Sequence, residues 1–430
     1  MTQALKIGIA GLGTVGVGTL QLLQAQSELI AARCGRPILV SAVSARDRRK
    51  DRGLDLSAVR WFEDPLALAA DPEVDVVLEL IGGSEGVAKA LVETALDAGK
   101  PVITANKALL AHHGTDLARR AEASGATLAY EAAVAGGIPA IKGLREGLAA
   151  NTIVRIYGIL NGTCNYILST MRETGREFAE VLAEAQKLGY AEADPAFDVD
   201  GVDAAHKLAI LTALAFGCEV DFEGVHVEGI REVSALDIAY AEELGYRIKL
   251  LGLSRVINGG VEQRVHPCMV RAAAPIATVE GVFNAVMAEG NFVDSVMMEG
   301  RGAGAHPTAS AVVADLIDLA RGIRLPVFAV PAAQLARLPS LQMKHHVGCY
   351  YVRLMVLDKP GVVADVAATL RDQEISMEAM LQRGRAPGEA VPIVLTTHET
   401  EEARMARALK RIEALEAVLE PPRMIRIEAL

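Results

Sequence analysis

At 430 residues the chain is long enough for two or three domains, each with its own core. Half of the residues are hydrophobic but only 4% are aromatic, so the cores are built mainly from Ala, Val, Leu and Ile, as in buried parallel sheets. The net charge of −11, with both signs interspersed, excludes nucleic acid as a general partner, because phosphate binding needs a basic surface.

In chain order, short apolar runs at 6–10, 38–43, 74–80, 101–104 and 127–130 alternate with helix-length amphipathic stretches such as 15–24 and 87–98. Strands alternating with helices predict βαβ units and a doubly wound parallel sheet, an α/β domain over 1–130. From 131 to 304 the pattern changes. Helices expected at 140–148, 163–173, 177–188 and 202–216 precede β-rich segments near 246–257, 261–270, 279–288 and 292–299, the order of an α+β substrate-binding and dimerisation domain. A helix at 306–321 is expected to return and complete the first domain over 305–322. Pro326, Pro331 and Pro339 mark a connector over 323–345. Residues 346–430 then run strand 349–357, helix 361–371, strands 375–382 and 390–397, helix 401–415 and strand 424–428, the βαββαβ order of a small ferredoxin-like domain.

The chain passes from Met1 almost directly into its first strand, without a basic-then-apolar leader, and its most apolar later segment, 208–218, is too short to span a bilayer. A cytoplasmic location with no membrane partner is expected. Cys34, Cys164, Cys218, Cys268 and Cys349 are odd in number and scattered, as reduced thiols are, and suggest no disulfide or zinc framework. No metal is expected at His112-His113 or His345-His346, because adjacent side chains point apart and no third ligand lies nearby.

Gly11-Leu12-Gly13-Thr14-Val15-Gly16 directly follows the first strand and opens a helix. Gly11 allows the tight turn, Gly13 lets the backbone approach a pyrophosphate, and Gly16 permits close helix–strand packing, so a Rossmann-type dinucleotide site is expected. The second strand ends in Ser44-Ala45-Arg46-Asp47-Arg48-Arg49-Lys50. With Asp47 late, Arg46 together with Arg49 or Lys50 suits a 2′-phosphate, which favours NADP(H) and leaves NAD(H) open. Lys107 follows Thr104-Ala105-Asn106 at the carboxyl edge of the sheet, where open α/β sheets bind ligands.

Asp203 and Lys207 are an i,i+4 pair on the helix expected at 202–216, so their side chains meet on one face. The pair alone reads equally well as a routine surface ion pair. Glu192, Asp194 and Asp198 just upstream favour a site, since a solvated loop rarely carries so many acids before a buried helix.

With the glycine motif at 11–16, Ala105-Asn106-Lys107, Asn161-Gly162-Thr163, the run 189–195, the run 203–208 and Gly300-Arg301-Gly302-Ala303-Gly304, the chain resembles monofunctional homoserine dehydrogenases as far as about residue 322. The resemblance implies reversible NAD(P)H-dependent reduction of L-aspartate 4-semialdehyde to L-homoserine, in the pathway to threonine, methionine and isoleucine. It implies Glu192 and Asp198 at the substrate's amino or hydroxyl end, Gly162 and Thr163 at its carboxylate, and Tyr190 nearby. Lys207 is then the proton donor and acceptor at the carbonyl oxygen, with Asp203 orienting it. Lys107 lies between cofactor and substrate, its share in proton transfer open, and Gly302 lies at the cofactor. A monovalent cation, Na+ or K+, is implied on the backbone carbonyls of Glu131, Val134, Gly136 and Ile138.

A facing carboxylate favours a charged lysine, so Lys207 is expected to need no pKa shift to protonate the developing alkoxide. The reverse reaction must first deprotonate it, at roughly 4 kcal/mol for about three units. Oxidation is therefore expected to improve at alkaline pH.

The turn Asp358-Lys359-Pro360-Gly361, between Val356-Leu357 and Val362-Val363, together with Ile375-Ser376-Met377-Glu378, resembles the ACT domain. That resemblance implies L-threonine as an end-product inhibitor docked on Asp358, Lys359, Pro360 and Gly361, and side-by-side pairing into a homodimer or homotetramer. Oligomerisation alone is the alternative, since allostery requires a coupling free energy that no sequence displays.

Two other readings compete. A non-catalytic amino-acid sensor would have no use for Glu192, Asp203 and Lys207. Another amino-acid or semialdehyde dehydrogenase, if acyl-transferring, needs a nucleophilic cysteine and a base. Cys164 stands beside Thr163 but has no histidine close in sequence, and is expected to be a packing residue.

Overall fold

The computed structural model describes residues 3–383 and 388–430; Met1, from which the leaderless start was read, lies outside them. Among the described residues no helix is long and apolar enough to cross a membrane.

The first sheet is parallel, in the spatial order Arg60–Phe62, Ile38–Ser44, Leu5–Ala10, Val76–Glu79, Val102–Thr104, Leu128–Ala129. The order turns back beside Leu5–Ala10, and the crevice at that switch point, outside the carboxyl ends of the strands, is where such sheets bind ligands. Ile7, Ile9, Val77 and Leu78 are fully buried, as apolar runs in a sheet covered on both faces must be. Arg60–Phe62 was not anticipated, because a three-residue edge strand leaves no apolar run to read. The helix Ala305–Ala320 returns to this layer and packs on Thr14–Ala25 so closely that a Cβ on Gly18 would lie 2.8 Å from the Ala305 carbonyl oxygen.

The second sheet is mostly antiparallel and has eleven strands among the described residues. Its main path runs Asp294–Arg301, Phe283–Gly290, Ile153–Ile159, Tyr246–Ile257, Gly260–Arg271, Arg423–Glu428, Val347–Leu357, Ala390–Thr397, Met377–Gln382. The last four are the βαββαβ module. Its closing strand, Arg423–Glu428, pairs antiparallel with Val347–Leu357 and parallel with Gly260–Arg271. One sheet therefore runs through both the central domain and the C-terminal module.

Several local expectations shift. The helix expected at 140–148 is a single turn, Ala140–Lys142, that widens into a π-type turn at Gly143–Gly147. The segment expected as strand from 279 begins only at Phe283, after the 3-10 turn Pro275–Thr278. The strand Ile153–Ile159 and the helix Ala235–Glu243 were missed. Arg155 interrupts the apolar run of the strand, and its guanidinium is taken up by Glu289 on the neighbouring strand at 2.7 and 2.9 Å.

Candidate active site

At the carboxyl edge of the parallel sheet lies a cleft of about 770 Å³, lined by Gly11, Leu12, Gly13, Arg46, Asp47, Lys50, Arg52 and the turn Leu80–Gly82. The three glycines differ in what they allow. A Cβ on Gly11 (φ +103°) would lie 2.3 Å from the Leu80 carbonyl oxygen, and one on Gly16 would lie 2.0 Å from that of Gly11. Nothing lies within 4 Å of a Cβ on Gly13, which caps the helix Thr14–Ala25 and leaves its N-terminus open to an anion. Thr14 and Val15 form the first turn of that helix. These features fit a dinucleotide.

Of the basic residues expected at the ribose end, Arg46 and Lys50 line the cleft, and Arg49 is not among its lining residues. Arg52, which was not foreseen, stands there instead. It donates to the Leu12, Lys50 and Asp47 carbonyls and lies over Trp61, 5.5 Å from the ring centre. Glu79 was also missed, hidden at the end of an apolar strand. Its fully buried carboxylate accepts from Thr104 Oγ1 and from the Ile81 and Gly82 N–H groups, shaping the turn beside the cleft.

A second cleft, about 420 Å³, is lined by Lys107, Gly162, Thr163, Tyr190, Glu192, Asp198, Asp203, Lys207 and Gly302, among others. Sequence-distant residues meet here on Asp203, at the first turn of the helix Val202–Phe216. Its Oδ1 accepts from Lys107 Nζ at 2.6 Å, and its Oδ2 from Lys207 Nζ and Asn161 Nδ2, each at 2.8 Å. Lys107 opens the helix Lys107–Ser124 in the parallel-sheet layer. A cation at a helix N-terminus gains nothing from the dipole, so its place is set by Asp203. Lys207 is buried and donates also to the Leu160 carbonyl at 2.7 Å, which leaves one of its three donors.

Asn161, named only as part of a motif, proves central. It caps the helix Gly162–Thr174 by accepting from Cys164 N–H, and its Nδ2 donates to both Asp198 and Asp203. An Asn directly before a helix start was the available signal. Thr163 donates to the Tyr190 carbonyl at 2.7 Å and reaches Asp198 at 3.3 Å. Glu192 is exposed at the rim. Asp194 is not among the cleft-lining residues and accepts from Ala196 N–H. Gly302, expected at the cofactor, lines this cleft, packed against Asn284 on the adjacent strand, which nothing in the sequence marks.

Burial alone would raise the pKa of Asp203, but the Lys207 and Lys107 ammonium groups hold it well below the usual carboxylate range. Burial and the Asp203 charge push Asp198 up. Lys207 departs from expectation. Burial lowers its pKa below the ordinary 10.5, with Asp203 opposing and Lys107 adding to the fall. An isolated pair suggested no shift, because the sequence did not show that the ammonium is enclosed and shares its carboxylate with a second one.

The carbonyls at Glu131, Val134, Gly136 and Ile138 belong to a loop bent by left-handed Ala135 (φ 57°) and Gly136 (φ 49°). The Glu131 carboxylate turns away to accept from the Ile141 and Lys142 N–H groups. Asp358, Lys359, Pro360 and Gly361 line a separate cavity of about 310 Å³ in the C-terminal module.

All five cysteines are free. Cys164 is buried, its thiol donates to the Asp198 carbonyl at 3.2 Å, and burial pushes its pKa well up, the opposite of a nucleophile. His112 packs on His206 and Phe222, while His113 meets Glu85. One cluster escaped the sequence reading: His266, Cys268 and Glu428 bring ligand-type atoms within 4.8 Å of one another. Arg264 already donates to Glu428 and contacts the His266 ring at 2.8 Å, so two of the three are engaged by a guanidinium.

Comparison with known proteins places the whole chain in one family. Residues 11–131 match the model of the homoserine dehydrogenase NAD-binding domain, 139–317 that of homoserine dehydrogenase, and 350–417 that of the ACT domain. A homoserine dehydrogenase of Neisseria gonorrhoeae is 47% identical, covering 100% of this chain and 99% of its own; one of Pseudomonas aeruginosa is 47% identical over 100% of both. The crystal structure of a homoserine dehydrogenase from Thiobacillus denitrificans superposes with a TM-score of 0.94 at 47% identity, over 99% of this chain and 98% of that one. A hyperthermophilic archaeal homoserine dehydrogenase, solved with NADPH, superposes at 0.64 with 28% identity, over 75% of this chain and 99% of that one. With a glycine-turn nucleotide cleft on one side and two lysines sharing a buried carboxylate on the other, the chain belongs to the homoserine dehydrogenase family, NAD(P)-dependent oxidoreductases acting on a CH–OH group.

Proposed function

We propose that the chain interconverts L-aspartate 4-semialdehyde and L-homoserine, preferring NADP(H), with Lys207 as the proton donor. The observation that carries this is Asp203 bonded at once by Lys107 and by Lys207. Bound nicotinamide supplies the hydride. Lys207 gives its proton to the aldehyde oxygen through its remaining N–H, oriented by Asp203 and the Leu160 carbonyl. Lys107 steadies the other oxygen of Asp203 between the two clefts. Glu192 and Asp198 face the substrate ammonium, and Gly162 N–H with Thr163, at a helix N-terminus, receives its carboxylate beside Tyr190. Gly302 lets the nicotinamide approach. NADPH oxidation that depends on the aldehyde is the test; no turnover with it ends this reading.

In the same reading, 1–130 with 305–322 binds cofactor, 131–304 binds substrate, 323–345 connects, and 346–430 regulates a cytoplasmic enzyme. Arg46, Lys50 and Arg52 suit a 2′-phosphate, as does the NADPH found in the archaeal relative. Arg46→Ala is expected to raise KM for NADPH about tenfold, a loss of about 1.4 kcal/mol, with KM for NADH little changed. An equal rise for both would remove the 2′-phosphate role. The carbonyls of Glu131, Val134, Gly136 and Ile138 are hard oxygen donors suited to Na+ or K+.

The turn 358–361 would hold L-threonine. Truncation near 345 is a poor test of this, because it strips Arg423–Glu428 from the middle of the shared sheet. Asp358→Ala is expected to raise the threonine concentration for half-inhibition at least tenfold; unchanged inhibition would count against the turn. Side-by-side pairing into a dimer or tetramer would use Met377–Gln382, since the opposite edge of the module is already paired within the chain.

A further inference from the structure

The C-terminal strand is tied to the central domain through one buried arginine. Arg426, on Arg423–Glu428, is 2% exposed and donates twice to Glu228, at 2.8 and 2.9 Å. Its remaining bonds go to Glu402, which opens the module helix Glu402–Glu413. Glu228 belongs to the central domain, just after the short strand His226–Val227, and its N–H donates to the Val265 carbonyl at 2.7 Å.

What lies beyond Glu228 is the turn between Asp198 and Asp203. Ile230 N–H donates to the Val199 carbonyl at 2.9 Å, and Arg231 pairs with Asp200. Gly229 has no room for a side chain. A Cβ there would lie 2.3 Å from the Val199 carbonyl oxygen and 2.6 Å from the Asp200 Cα. Gly201 (φ +86°) is less tightly enclosed, with the Val227 and Val265 side chains and the Glu228 carbonyl oxygen 3.1–3.4 Å from a Cβ. The segment 229–231 is thus seated on 199–200 by close backbone contact at Gly229 and the Ile230–Val199 hydrogen bond.

We propose that Glu228 is a positioning residue: clamped by Arg426, it holds the turn 199–201 and so sets how Asp198 and Asp203 are spaced around Asn161. A bidentate guanidinium–carboxylate pair suits this task because it fixes orientation as well as distance. The C-terminal module thereby completes the active site mechanically, without contributing a residue to the cleft. The proposal rests on the assignment of Asp198 and Asp203 to the substrate site.

Glu228→Gln keeps the shape and removes the charge. It is expected to lower kcat/KM for the aldehyde about tenfold while KM for NADPH stays unchanged, and Glu228→Asp should recover part of the loss. Gly229→Ala, which pushes on the same turn without touching charge, should show the same kinetic split. A purely structural role predicts a lower Tm for Glu228→Gln with wild-type kinetics, and that result overturns the proposal. Asp198→Asn is assayed alongside. If it lowers kcat/KM for the aldehyde while Glu228→Gln does not, the positioning role fails and the site assignment stands; if Asp198→Asn leaves kcat/KM for the aldehyde unchanged, the site assignment is what fails.

Discussion

Lys207→Ala is expected to lower kcat for aldehyde reduction by about 10²–10⁴, the usual contribution of a positioned general acid, with the KM for NADPH essentially unchanged. The split follows from geometry. Lys207 lines the substrate cleft and is not among the residues lining the nucleotide cleft. Lys107, still bonded to Asp203, keeps that carboxylate in place. Loss of NADPH binding instead would take Lys207 out of the proton-transfer role.

The pH dependence of the same reaction carries a sign. Because burial lowers the Lys207 pKa below 10.5, the neutral amine needed to accept a proton forms at lower pH than on a free lysine. Oxidation of L-homoserine should therefore rise with pH and level off before the ordinary lysine range, while reduction falls over the same interval. A stopped-flow or steady-state oxidation profile that is flat from about pH 6 to 10, across the range in which the proposed base titrates, would be incompatible with this assignment.

Asp203→Asn should have the second large effect. Its carboxylate neutralises two ammonium groups, one of them buried, and no other acid bonds either amine among the described residues. Stripping one partner from a buried ion pair costs about 3–5 kcal/mol, so the denaturation midpoint should fall clearly. Lys207 responds by shedding its proton more readily, since the main charge opposing desolvation is gone and Asp198 alone is left to oppose it. The alkaline limb of oxidation should move to lower pH, and kcat/KM for the aldehyde should fall at least a hundredfold. An unmoved limb would mean that Asp203 does not govern the proton of Lys207.

Short-range order was legible in the residues themselves. The glycine turn at 11–16 declares its task because each glycine answers a steric demand within a few residues: a 2.3 Å approach to Leu80, an open face at Gly13, and a 2.0 Å approach to Gly11. The i,i+4 pair Asp203 and Lys207, and the βαββαβ cycle of the last eighty-odd residues, are local periodicities of the same kind. Only the tertiary structure decided that Lys107 shares Asp203, that Asn161 ties Asp198 to Asp203, and that Arg52 rather than Arg49 lines the glycine-turn cleft. It alone showed that Lys207 is buried enough for its pKa to fall, and that Arg423–Glu428 welds two domains into one sheet. The division has one physical cause. Backbone propensity and side-chain period act over a few residues and are written in the chain, whereas desolvation and ion pairing depend on which distant surfaces close over a group, and that is determined only when the chain has folded.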